Sequence, residues 1–119
     1  MRKLIRSFYY AATGLRHCMA KERNFRIHLA IAVVVVFAGI GFHLSAAEWM
    51  VIVLCIGLVL ALEMLNTALE LLCDMVESHA HPVIKTIKDV SAGAVVLGVL
   101  AAVICGSIIF LPKLAALVF

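Results

Sequence analysis

Five side chains able to hold a cation or move a proton recur in register along one stretch of this sequence. Glu63, Asn66, Glu70, Asp74 and Glu77 follow one another at spacings of three, four, four and three residues. On an α-helix turning ~100° per residue, all five fall within an arc of roughly 80°. Thr67 widens the stripe, while Met64, Leu65, Ala68, Leu69, Leu72 and Met75 take the other faces. Carboxylates so arranged suit a hard divalent cation, and one withdrawn from water can serve as a proton acceptor. Two other charged groups could join them, Lys21-Glu22-Arg23-Asn24-Phe25-Arg26 and Lys88-Asp89. Carboxylates for a metal, with cations for phosphate oxygens, are the equipment of phosphoryl transfer. The sequence has no GxxxxGK(S/T) loop, no HRD or DFG set and no GxGxxG, so a nucleotide would be held by an unrelated arrangement. An ordinary solvated helix face is the competing account of the ladder, and it suits Asp74 and Glu77 well.

The elements that must carry these groups are apolar. Of 119 residues, 66% are hydrophobic and 14% charged, against ~25% charged in a soluble domain. The length allows one domain, 1–119. No Asp, Glu, Lys or Arg occurs from Ile27 to Ala47 (21 residues), from Trp49 to Leu62 (14 residues) or from Val90 to Pro112 (23 residues). A membrane-crossing helix needs ~20 residues. The first and third stretches suffice; the second must stop short or take Glu63 into the membrane. The predicted fold is all-α and integral to a membrane: a surface segment over 1–26, then spans over 27–47, 49–73 with an extension beyond the membrane, and 90–112.

Glu63 lies 14 residues beyond Trp49, or ~21 Å along a helix. With Trp49 at one boundary of a ~30 Å core, Glu63 stays ~9 Å inside the other. A carboxyl there costs a few kcal/mol and marks a functional site by default. Glu70 then reaches the edge and Asp74 passes it. One helix face thus offers a carboxyl at headgroup depth and another within reach of water.

Seven of the ten basic residues (Arg2, Lys3, Arg6, Arg16, Lys21, Arg23, Arg26) precede the first span, and Lys85 and Lys88 precede the third. The positive-inside rule puts the N-terminus and the second connection in the cytoplasm. Leu4, Phe8, Ala12 and Leu15 share a face away from Lys3, Arg6 and Arg16, which predicts an amphipathic helix in the headgroup layer. A solvated basic arm is the alternative. A cleaved signal peptide is disfavoured, because charges rather than a small-residue cleavage site follow Arg16. Cys18, Cys55, Cys73 and Cys105 form no CxxC pair and read as small apolar packers. In the third span Ala94, Gly98, Ala102 and Gly106 recur every four residues, predicting a face of close helix packing.

The run Glu63-Met64-Leu65-Asn66-Thr67-Ala68-Leu69-Glu70-Leu71-Leu72-Cys73-Asp74 closely resembles the signature of the small bacterial diacylglycerol kinase family, with Cys73 where that family has Val. Asn24-Phe25-Arg26 after Glu22, and Lys88-Asp89 before Ala92-Gly93, are similar to it as well, so the resemblance covers nearly the whole chain. Glu22 to His28, Glu48-Trp49-Met50 and Phe110-Leu111-Pro112-Lys113 look like the undecaprenol kinase branch, and Ala92 stands where proteobacterial members have Ser.

The resemblance implies an ATP-dependent lipid kinase of the bacterial cytoplasmic membrane, a homotrimer with active sites shared between subunits, magnesium as cofactor and a lipid alcohol as acceptor. Carried over by position, Glu63 is the catalytic base and Asn66 aligns the reacting groups. Glu22 and Glu70 hold the metal. Lys3, Tyr10, Lys88 and Asp89 contact the nucleotide, with His79 and His81 nearby. Undecaprenol is the expected acceptor and diacylglycerol the alternative; no nucleic-acid partner is expected. A zinc site at His79 and His81 is disfavoured, since no third ligand stands at a recognisable spacing. Outside this class, a small proton-coupled transporter could also use an intramembrane Glu, although such sites lie nearer the bilayer midplane. A purely structural subunit gives no reason for the ladder.

Overall fold

Each charge-free stretch becomes the body of one helix. The computed structural model describes residues 1–119 as four helices: α1 (Arg2–Lys21), α2 (Arg23–Gly41), α3 (Ala46–Val76) and α4 (Pro82–Val118). Helices α2, α3 and α4 are each long and apolar enough to cross a membrane. The short middle stretch does not stop at Glu63. Helix α3 has 31 residues, ~46 Å at 1.5 Å per residue, so it exceeds a ~30 Å core and carries the lower ladder beyond it.

Local chemistry sets the helix ends. Ser45 opens α3 with a reciprocal cap: its Oγ accepts from the Glu48 N–H at 3.2 Å, and its own N–H donates to Glu48 Oε1 at 3.0 Å. That backbone bond, with Lys113 Nζ 3.2 Å from Glu48 Oε2 next in effect, holds the Glu48 carboxyl below the usual range. The turn before it passes through His43 at φ 55°, in the left-handed region. His81 caps α4 by accepting from the Val83 N–H at 3.1 Å, ahead of Pro82 in the first helical turn. Between α1 and α2 the chain is extended at Glu22 alone. Arg26 reaches back, its Nη1 donating to the carbonyls of Met19 and Ala20 at 3.1 Å each. It thereby satisfies the open end of α1. One cation of the 21–26 cluster is therefore engaged in closing a helix.

Helices α3 and α4 form the main hairpin, α2 packs along α3, and α1 touches only the start of α2 and part of α3. At the end distant from the ladder Leu44, Ile52 and Ile109 make a small core, joined by Trp49, Phe42 and Phe110. Trp49 is more than a boundary anchor: a Cβ on Gly39 would come within 2.7 Å of its ring. Only 14 of 119 residues are buried, so most large apolar side chains face outward, where hydrocarbon or further protein must cover them.

The four-residue stripe on α4 divides. The face turned inward buries Ser91, Val95, Gly98 and Ile109. Gly98 lies at its centre, with Leu62 packed where a Cβ would approach to 2.6 Å. Ala94 is exposed, and a Cβ on Gly106 would meet nothing within 4 Å. Gly98→Leu should therefore destabilise the protein by ~1–3 kcal/mol through overpacking, and Gly106→Leu by clearly less. Melting temperatures in detergent, with the exposed Val96→Leu as control, check this. Equal losses at Gly98 and Gly106 would mean that the Leu62 contact is not what demands a glycine.

Candidate active site

The ladder on α3 is graded by exposure. Glu63 keeps 5% of its side chain accessible and Asp74 60%, as expected for one stripe leaving an apolar layer. At the buried end, His28 Nε2 of α2 lies 3.0 Å from Glu63 Oε1. Sequence reasoning did not single out His28. The available signal was an imidazole in the first turn of an otherwise apolar run. Beside this pair the end of α1 docks on α3, burying Cys18 and Thr67 to 4% exposure each. Burial pushes the Cys18 thiol above its ordinary range, and the carboxylates of Glu22 and Glu63 add to the effect. Glu22 follows Cys18 by one turn, at the extended junction that ends α1.

One turn on, Asn66 Nδ2 donates to Glu70 Oε1 at 3.0 Å. Asn66 Oδ1 is buried without a partner. A buried acceptor left free is costly unless a donor from outside the chain reaches it. Beyond it, Lys88 Nζ donates to Asp74 Oδ1 at 2.6 Å, tying α4 to the ladder. That bond, reinforced by the charges of Asp74 and Glu70, holds the Lys88 ammonium above the usual lysine range. Lys85 Nζ donates to Asp89 Oδ2 at 2.6 Å. Glu77 Oε1 accepts from the His79 N–H and contacts His79 Nδ1, both at 3.1 Å. Glu77, His79, His81, Lys85, Lys88 and Asp89 line a polar groove of about 670 Å³ where α3 gives way to α4.

Glu63, Asn66 and Glu70 thus stand in one row, and Lys88 joins them to the groove holding His79, His81 and Asp89. Lys3 and Tyr10 are not brought there. Both side chains are exposed on α1 and make no hydrogen bond or ion pair in the chain; Tyr10 only meets the Tyr9 ring edge-on at 6.0 Å. A second groove of about 390 Å³, almost wholly apolar, runs between α2, α3 and α4 from His28 to Phe110 and Leu111. Glu63 sits next to its His28 end through the contact described above.

No three His, Cys, Asp or Glu side chains converge as a metal cage. Magnesium does not require one, since it takes one or two carboxylates and completes its shell with water and phosphate oxygens. Glu70 and the partnerless Asn66 Oδ1 supply hard oxygen donors of the right kind.

The profile of the prokaryotic diacylglycerol kinase family matches residues 9–110, a range that holds the ladder, His28 and the polar groove. The chain is 41% identical over 114 residues to an undecaprenol kinase of Bacillus subtilis, covering 96% of this chain and 93% of that protein. To a diacylglycerol kinase of Synechocystis it is 44% identical over 115 residues, 96% of this chain and 66% of that one. To the diacylglycerol kinase of Escherichia coli K12 it is 26% identical over 102 residues, 86% of this chain and 84% of that one. Three apolar helices, a carboxylate row leaving the apolar layer and a match over most of the length lead to one conclusion: this membrane protein belongs to the prokaryotic diacylglycerol kinase family.

Proposed function

We propose that this protein is an ATP-dependent lipid kinase that phosphorylates undecaprenol to undecaprenyl phosphate at the cytoplasmic face of a bacterial membrane. The observation that carries the reading is the graded row itself. A nearly buried Glu63 adjoins the mouth of an apolar groove, oxygen donors follow within about two turns, and a charged, water-facing groove follows within about four. The apolar end suits a lipid alcohol and the polar end a nucleotide.

In this reading Glu63 accepts the proton of the lipid hydroxyl as its oxygen bonds to the γ-phosphorus of ATP. The bond from that phosphorus to the bridging oxygen breaks, and its electron pair leaves with ADP. Asn66 holds Glu70 by its amide and offers its free Oδ1 to the reacting groups. Glu70 and Glu22 would hold magnesium, which when bound neutralises phosphate charge. Lys88, kept protonated by Asp74, adds fixed positive charge, and Asp89, His79 and His81 border the nucleotide. Lys3 and Tyr10 would complete that site from α1 in a homotrimer with shared sites, since within one chain they stand apart from it. Helix α1 would lie in the headgroup layer, with Leu4, Phe8 and Leu15 toward hydrocarbon. The excess of basic residues ahead of the first and third spans would place the N-terminal segment and the second connection on the cytoplasmic side.

Purified protein given labelled ATP, magnesium and a panel of lipid alcohols tests the reading. Undecaprenol should show the highest kcat/KM. Preference for diacylglycerol, which the Synechocystis relative makes the second candidate, would change the acceptor and keep the kinase. Uptake of a solute into liposomes driven by protons, without any phospholipid product, would replace the enzyme by a transporter.

A further inference from the structure

We propose that His28 is the positioning residue of Glu63: its imidazole pairs with Oε1 through Nε2 and leaves Oε2 as the oxygen that takes the substrate proton. The inference rests on the kinase reading above and adds to it a residue from a different helix. Glu63 has almost no access to water, and His28 Nε2 at 3.0 Å is its one ion-pair contact within the chain. A carboxylate so withdrawn is costly unless a donor faces it. An ionised carboxylate has no proton to give, so for the pair to be attractive the proton must sit on Nε2.

The packing of α2 makes the imidazole a fixed partner. Phe25, the most buried large side chain at 2% exposure, lies one turn before His28, and Ala32, at 8%, one turn after. Spacings of three and four residues place all three on the face turned to the bundle. Arg26, bound to the end of α1, holds the same turn from its other side. His28 also lines the apolar groove, so a hydroxyl arriving along that groove meets the histidine and the carboxylate together. A carboxylate free to rotate would present either oxygen in any orientation. One pinned at Oε1 presents a single oxygen, and a misplacement of about 1 Å in such a geometry can cost ~100-fold in rate.

The test compares wild type, His28→Ala and His28→Gln for phosphorylation of the best lipid alcohol, alongside melting temperature. Gln is chosen because its terminal amide can donate from nearly the position of Nε2. His28→Ala should lower kcat roughly 10- to 100-fold with KM for ATP unchanged, since the polar groove lies elsewhere. His28→Gln should recover most of that loss. If His28→Ala keeps wild-type kcat, or if Gln loses as much as Ala while both fold, His28 does not position the base. If the alanine variant fails to fold, the glutamine variant decides alone: near-wild-type kcat supports the assignment and a full loss overturns it. A wild-type protein inert toward every lipid alcohol is a different outcome, and it removes the kinase reading itself.

Discussion

Glu63→Gln is expected to lower turnover by roughly 10²- to 10⁴-fold, the usual contribution of general acid–base catalysis, while the protein still folds and assembles. The substitution keeps the shape of the side chain and removes its ability to accept a proton. With 5% of the side chain accessible, exchanging a carboxylate for a neutral amide also relieves a burial cost, and the amide oxygen can still face His28. The melting temperature should therefore stay level or rise as activity disappears. That opposite movement separates a lost base from a damaged fold. Near-wild-type phosphorylation by the variant would remove Glu63 from the catalytic role and leave the buried carboxylate without an assigned purpose.

Glu70→Gln and Glu22→Gln should each raise the magnesium concentration needed for half-maximal activity by about tenfold or more, since a site built on one or two carboxylates loses a principal ligand. Glu70 has the firmer structural case: Asn66 holds one of its oxygens, and the free Asn66 Oδ1 lies beside it. Glu22 is tied to the site more loosely, as a half-buried residue at the extended junction between α1 and α2 whose charge reaches Cys18 together with that of Glu63. A magnesium titration followed both by product formation and by thermal shift in the absence of lipid separates metal binding from chemistry. An unchanged titration for either variant would make that carboxylate a structural anchor.

Much of this protein was legible in the residues taken in order. Helix periodicity and charge are local properties, so three charge-free stretches announced three long apolar helices. The same period put Glu63, Asn66, Glu70 and Asp74 on one face before any packing was known. The stop of the middle helix was not local. Its 14 charge-free residues allowed two lengths, and it runs to Val76 because α4 lies along it, with Lys88 anchoring Asp74 near its end.

Only the tertiary arrangement decided the partners. His28 and Glu63 stand on separate helices, and nothing in the period of either says which residues will face each other across the contact. That depends on where α2 crosses α3. The small residues on α4 show the same limit. Their spacing marked a face, but whether each glycine meets a neighbour depends on the placement of the opposing helix, which brings Leu62 to Gly98 and leaves Gly106 open. Periodicity assigns a residue to a face of its own helix; the angle and register at which two helices pack determine what that face touches.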